Sequence, residues 1–286
     1  MSAIVYTSRR QRQLWRVLPD LIRGRELLLD LVWKDLRARY RYAVMGFMWA
    51  VIEPLAFMAI LAFVFSFVMV DKAAMAGGSA EGRPFPVMML CGLIFWQYFT
   101  AALNGATLSV VDGRSLVKKV CFAREAVPIA ACCVPLVNLA VGFVVLLALH
   151  LLFGGTLTAA VLWIPLLFGV QFAMTVGLAL LFSCGHVHFR DVGNTVAVAL
   201  VFGFYASPVF YPVELVKNAA SVPGWVSALY MANPMAGLLS CYRQVLFEQR
   251  LPDWALLCWP ACFAVLALGL GLVVFRRAAP TMADHL

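Results

Sequence analysis

The sequence predicts an all-α integral membrane protein. Six transmembrane helices follow an N-terminal cytoplasmic amphipathic helix, and an external re-entrant helical segment separates helices 5 and 6. Three observations predict this. The 286 residues are 64% hydrophobic and only 13% charged, against about 45–50% and about 25% in soluble domains. The apolar residues gather in blocks that supply the about 20 residues a helix needs to cross a ~30 Å hydrocarbon core. Those blocks are uniformly apolar rather than alternating, so a barrel is excluded and the helix remains as the form that satisfies its own backbone in lipid.

Residues 1–19 read as a cytoplasmic tail. No cleavable signal peptide is expected, because Arg9, Arg10, Arg12 and Arg16 stand in a polar setting and the first apolar block begins only near Ala43. Residues 20–42 read as the amphipathic interface helix. Leu29, Trp33, Leu36 and Tyr40 recur at helical spacing, and Asp30, Lys34, Arg37 and Arg41 repeat it one residue on. Such a helix is expected to lie along the membrane surface, against lipid.

The six-helix domain covers 43–275, with spans at about 43–70, 85–111, 126–153, 157–184, 192–211 and 254–275, and residues 276–286 form a cytoplasmic tail. The stretch 126–184 holds no Asp, Glu, Lys or Arg and is too long for one span, so Gly154-Gly155-Thr156 is the expected turn. Pro208 and Pro212, in FYASPVFYP, are expected to end the fifth span by removing donors and blocking continuation. The connection 212–253 is too apolar for a free loop. Within it Asn233-Pro234 reads as an N-cap followed by proline at the first helical position, and the apolar piece Met235 to Tyr242 is too short to cross.

With this threading, Lys72, Arg83, Lys217, Arg243 and Arg250 fall on one side of the membrane and every other Lys and Arg on the opposite side. The positive-inside rule therefore places both termini in the cytoplasm. This topology accounts for the net charge of +8, and no nucleic-acid partner is inferred.

The chain carries no Walker A pattern, HExxH, G-x-S-x-G or Rossmann fingerprint. No catalytic residue and no cofactor is assigned to it; if nucleotide energy is used, ATP and its Mg belong to another chain. The eight cysteines form no C-x-x-C and read as apolar filler. Cys184, His186, His188 and Asp191 are metal-ligand types, but they fall in a short boundary loop without a helical His pair, and no metal is assigned.

Glu53 is the one Asp, Glu, Lys or Arg inside the six spans, directly before Pro54, with Trp49 and Phe57 one turn away on each side. A charge at mid-bilayer costs about 2.5–3.5 kcal/mol on insertion scales, so it faces protein or water. Glu53 is read either as a tie to a neighbouring helix or as a polar point in a transport path. Rings crowd the second span at Phe95, Trp96, Tyr98 and Phe99, and the fifth at Phe202, Phe204, Tyr205, Phe210 and Tyr211. Interfacial belts or core packing are one reading of these rings, and a pathway lined by them, above all on the fifth span, is the other.

The ordered set Arg39-Tyr40-Arg41-Tyr42, VMGFMWAVIEPL, Arg190-Asp191-Val192, ASPVFYP and Asn233-Pro234-Met235 resembles the permease subunits of ABC-2 type polysaccharide exporters, which handle O-antigen, capsule and teichoic acid. The resemblance runs from about residue 20 to near the end of the chain. It implies a homodimer that binds an ABC ATPase dimer and moves a lipid-linked polysaccharide, on undecaprenyl diphosphate, across the bacterial inner membrane. Periplasmic export proteins are a further partner class of such systems. By the same resemblance, Trp49, Glu53, Phe57, Tyr98, Phe99, Tyr205, Phe210 and Tyr211 are the substrate-channel candidates. Trp33, Arg37, Arg41, Arg114, Lys118, Lys119 and Arg124 are the candidates for ATPase coupling or lipid-headgroup contact; plain positive-inside charge is the other reading of the basic ones. Two alternatives stand beside this reading: an ABC permease for a small molecule or lipid, and a membrane transferase acting on a polyprenyl lipid.

Overall fold

A computed structural model of the chain describes residues 24–40, 48–67, 85–119, 122–211, 213 and 223–282. The expectations placed on the 1–19 tail, Arg41, Lys72, Arg83, Pro212 and Lys217 lie outside those residues. Every regular element among the described residues is a helix, and none of them is a strand. Helix α1 (Arg25–Tyr40) is followed by α2 (Trp49–Phe67), α3 (Phe85–Asp112) and the short α4 (Arg114–Lys119). Next come α5 (Ala126–Cys133) and α6 (Leu136–Leu152), a 3-10 turn (Ala159–Trp163), α7 (Ile164–His188) and α8 (Val192–Tyr205). The chain ends with α9 (Gly224–Met231), α10 (Pro234–Leu246) and α11 (Trp254–Ala278).

Four described segments are long and apolar enough to cross a membrane: Pro86–Asp112, Ala126–Leu152, Ala159–His188 and Trp254–Ala278. They coincide with four of the expected spans to within a few residues. Pro135 sits in the brief turn between α5 and α6, and the two helices make one apolar length. The turn expected at Gly154 is present, and Gly154 has a φ of 81° that an L side chain rarely adopts.

α3 is the axis of the molecule. Helices α2, α5, α6, α7, α8 and α10 all pack on it, so it is buried on several sides, from Leu90 and Phe95 to Ala106 and Val110. The closest helix pair is α7 with α11. A Cβ added at Gly177 would sit 2.4 Å from the backbone of Ala267 and Leu268, and one at Gly271 would sit 2.3 Å from the Gly177 carbonyl oxygen. Ala264, Ala267 and Gly271 form a seam of small residues along α11. Lipid tails are as apolar as leucine, so helices in a membrane associate through such close backbone approach and dispersion.

α10 behaves as expected at its start. The Asn233 side chain accepts from the Met235 N–H at 3.0 Å, and Pro234 takes the first helical position. At 13 residues it is about 20 Å long, too short to cross. It is buried along its whole length against α3, α7 and α11. Its side chains are spent on neighbours. Tyr242 stacks on Phe95 at 3.6 Å between centroids and donates to Gln171 Oε1 at 2.8 Å. Gln171 in turn donates to the Phe95 carbonyl at 2.8 Å.

Two expectations need correction. The fifth apolar block is helical only over Val192–Tyr205, about 21 Å, and not to residue 211. The residue preceding a proline is pushed out of the helical region, so the helix yields before Pro208 instead of running up to it. On α1 the face bearing Leu27, Leu28, Leu31 and Val32 packs on the bundle, while Leu29 and Trp33, of the stripe expected against lipid, are more than half exposed. The second correction is that Cys184, His186 and His188 belong to the last turn of α7, not to a loop. His188 Nδ1 lies 3.0 Å from the Cys184 carbonyl oxygen, and His186 Nδ1 accepts from the Gly193 N–H at 3.2 Å.

Candidate functional site

Helices α2, α3, α6 and α8 enclose a cavity of about 580 Å³. Each contributes one face at helical spacing. α2 supplies Glu53 and Phe57; α3 supplies Leu93, Gln97, Thr100 and Asn104; α6 supplies Asn138 and Gly142; α8 supplies Ala197, Leu200, Val201, Phe204 and Tyr205. The floor is buried, at Leu93, Ile94, Trp96 and Leu200. The rim is exposed, at Glu53, Phe57, Ala197, Val201 and Tyr205. The cavity is thus mostly ring and aliphatic surface, with a smaller share of neutral amide and hydroxyl groups and one carboxylate, Glu53. Apolar walls carrying a few placed polar groups are the usual make-up of a ligand pocket.

Of the channel candidates, Glu53, Phe57, Tyr98 and Tyr205 meet at this cavity. Trp49 lies one turn before Glu53 and is exposed. Phe99 is buried and tilted against Trp96 at 5.6 Å, outside the lining. Phe210 and Tyr211 lie beyond the end of α8. Phe210 packs edge-on to Phe204 at 4.8 Å, and Tyr211 stacks on Tyr230 of α9 at 6.4 Å. Burial pushes the Tyr230 phenol above its ordinary pKa, so that ring is a neutral surface.

The segment after α8 is held from the far side. Arg243 on α10, 4% exposed, donates to the Val209 and Tyr211 carbonyls, both at 2.7 Å. Asn233 Nδ2 donates to Ser207 Oγ at 2.7 Å and to the Ala206 carbonyl at 3.2 Å. Non-helical backbone at membrane depth is tolerated where protein satisfies it, and here α10 does so. Gly92 permits the approach, since a Cβ there would meet the Val209 carbonyl oxygen at 2.3 Å.

At the other end of the bundle, Trp33 and Arg37 are exposed on α1, with the guanidinium 5.8 Å from the indole centroid. Arg114 and Lys118 are exposed on α4, and Lys119 ends that helix. Arg124 differs from these, because it donates to the Ala279 carbonyl at the end of α11. Beside it, Glu125 and Arg276 form a buried ion pair at 2.6 Å, with side chains 7% and 4% exposed.

Sequence reasoning passed over the polar stripe of α3. Gln97, Thr100 and Asn104 repeat at i, i+3 and i+7 inside an apolar span, a legible signal overshadowed by the search for charges. It also treated Arg243 as a surface cation and did not foresee the Glu125–Arg276 pair.

The profile of the ABC-2 type transporter family matches residues 26–247. The chain belongs to the ABC-2 type transporter family. It is 28% identical over 272 residues to the O-antigen export system permease protein RfbA of Myxococcus xanthus, covering 95% of this chain and 99% of that one. It is 25% identical over 227 residues to an O-antigen export system permease protein RfbA of Klebsiella pneumoniae, covering 79% and 82%. It is 21% identical over 251 residues to the polysialic acid transport protein KpsM of Escherichia coli, covering 87% and 92%. This permease is therefore a multi-pass membrane protein of the transport class, and its named relatives are transport proteins rather than hydrolases.

Proposed function

We propose that this permease is the membrane half of an ATP-driven exporter that moves a lipid-linked polysaccharide, such as O-antigen or capsule on undecaprenyl diphosphate, across the bacterial inner membrane. Its six spans place both termini in the cytoplasm, with residues 43–275 as the transmembrane domain and 212–253 as the external re-entrant segment. Two copies pair and engage two copies of a separate ATPase, which binds the ATP and Mg. The observation that carries this reading is the cavity between α2, α3, α6 and α8, where ring faces and neutral hydrogen-bonding groups meet. A sugar has apolar ring faces and hydroxyl edges, and such a surface lets it pass without a strong binding minimum.

Arg114 and Lys118 on α4, with Trp33 and Arg37 on α1, are all exposed on the described structure and form the ATPase-facing set. Arg124 and the Glu125–Arg276 pair tie the start of α5 to the end of α11, so a push on the segment before α5 reaches the bundle. The test is deletion of the chain in its host, with surface polysaccharide measured. Loss of surface polysaccharide with lipid-linked polymer retained inside is expected. Unchanged surface polysaccharide would remove the export reading.

A further inference from the structure

We infer that the cavity is a selectivity subsite for an uncharged saccharide unit, with Glu53 at its mouth acting against acidic sugars. The inference rests on the export reading and deepens it.

The first observation is the kind of polar group present. Gln97, Thr100, Asn104 and Asn138 all line the cavity and all are neutral. Amide and hydroxyl groups that both donate and accept match the hydroxyl edge of a sugar, whose oxygens also do both. Thr100 Oγ1 is fully buried with no hydrogen-bond partner among the described residues. A buried unsatisfied hydroxyl is unusual in a folded protein, but this one has no surface open to the cavity, so the saccharide contacts fall to amides such as Gln97 and Asn104.

The second observation is the charge balance. Among the described lining residues Glu53 is the one acid, and none is Lys or Arg. A diphosphate or a sugar carboxylate placed there would face a like charge with no cation to offset it. The exposed basic residues, Arg114 and Lys118, lie on α4 and do not line the cavity. The anionic end of a lipid-linked chain is therefore served elsewhere, and this cavity takes the neutral part. Trp96, Phe204 and Tyr205 supply ring faces beside the amides, which suits the apolar face of a pyranose.

The test uses the purified full-length permease in nanodiscs of phosphatidylcholine, which adds no net surface charge. Octyl β-glucoside and octyl β-glucuronide are titrated below their micelle concentrations, with empty nanodiscs subtracted. They differ only in a carboxylate replacing a hydroxymethyl group. The glucoside is expected to bind at least about tenfold more tightly, the size of effect that one discriminating group produces. Glu53→Gln is expected to narrow that gap to about threefold or less. Replacing both Gln97 and Asn104 with Leu is expected to weaken the glucoside by about tenfold or more. If that double variant does not fold, Ala197→Trp gives a second reading, because it plugs the cavity from an exposed rim position and is expected to abolish saturable binding. Equal affinity of the wild type for the two glycosides overturns the proposal. So does binding that survives Ala197→Trp. Measuring surface polysaccharide in the deletion strain separates the two readings. Export lost on deletion, with no glycoside preference in the purified protein, sinks the subsite and leaves export standing. A clear glycoside preference, with surface polysaccharide unchanged on deletion, does the reverse.

Discussion

The seam between α7 and α11 and the cavity between α2, α3, α6 and α8 are built from opposite materials. In the seam, Gly177 and Gly271 let backbones touch, and the adjoining α10 spends Tyr242, Arg243 and Asn233 on fixed partners. Around the cavity the contacts are looser. Trp49, Phe57, Ile60 and Phe63 on α2 are exposed, and so are Val201, Phe202 and Tyr205 on α8. One side of the molecule is held by backbone contact and satisfied polar groups. The other leaves room and hydrogen-bonding capacity open. A transporter needs both, since a cavity can change its contents only if its frame keeps its shape.

Breaking the frame is expected to cost stability. Arg276→Met leaves Glu125 buried and uncompensated, which costs about 3–5 kcal/mol. It is expected to give the largest drop in thermal midpoint of the detergent-purified protein. The double variant Glu125→Leu plus Arg276→Met is expected to recover most of that loss, because apolar replacement of a whole buried pair is often neutral. No recovery would show that the pair acts through something beyond its own charges. Gly177→Leu is next. Its Cβ would meet backbone at 2.4 Å, and no flexible side chain can give way. A loss near the top of the about 1–3 kcal/mol range for overpacking is expected, read as low yield and a lowered midpoint.

Gln171→Leu is milder. It orphans the Tyr242 hydroxyl and removes the side-chain donor from the Phe95 carbonyl, which keeps its helical partner, at about 1–3 kcal/mol. Tyr205→Ala, on the cavity rim and 70% exposed, is expected to shift stability by no more than about 0.5 kcal/mol while lowering export. If Tyr205→Ala unfolds the protein, or Arg276→Met leaves it unchanged, the contrast between frame and cavity fails.

How much of this was visible in the residues depends on the range of the signal. Long apolar blocks gave the four crossing helices to within a few residues, and Asn233-Pro234 marked the start of α10, because both signals are local. The end of α8 was misplaced because proline acts on the residue before it and the helix stopped early, at Tyr205. On α1 the spacing singled out the Leu29–Trp33 stripe for lipid but gave no sign of the second apolar face, Leu27, Leu28, Leu31 and Val32, which packing against α5 covers. Four of the eight channel candidates, Glu53, Phe57, Tyr98 and Tyr205, line the cavity. Its amide stripe was readable from spacing but carries no charge to attract notice. The Glu125–Arg276 pair joins residues 151 apart in sequence, and Gly177 and Gly271 meet across two helices. No local pattern announces either.

The central claim is that cargo passes by the α2–α3–α6–α8 cavity and not by the sealed α7–α11 side. It is tested most directly by surface polysaccharide per unit of membrane-inserted permease, in cells carrying Gln97→Leu plus Asn104→Leu as the sole copy. The account predicts a fall of about tenfold or more at normal protein amount. Full export from that variant would contradict it.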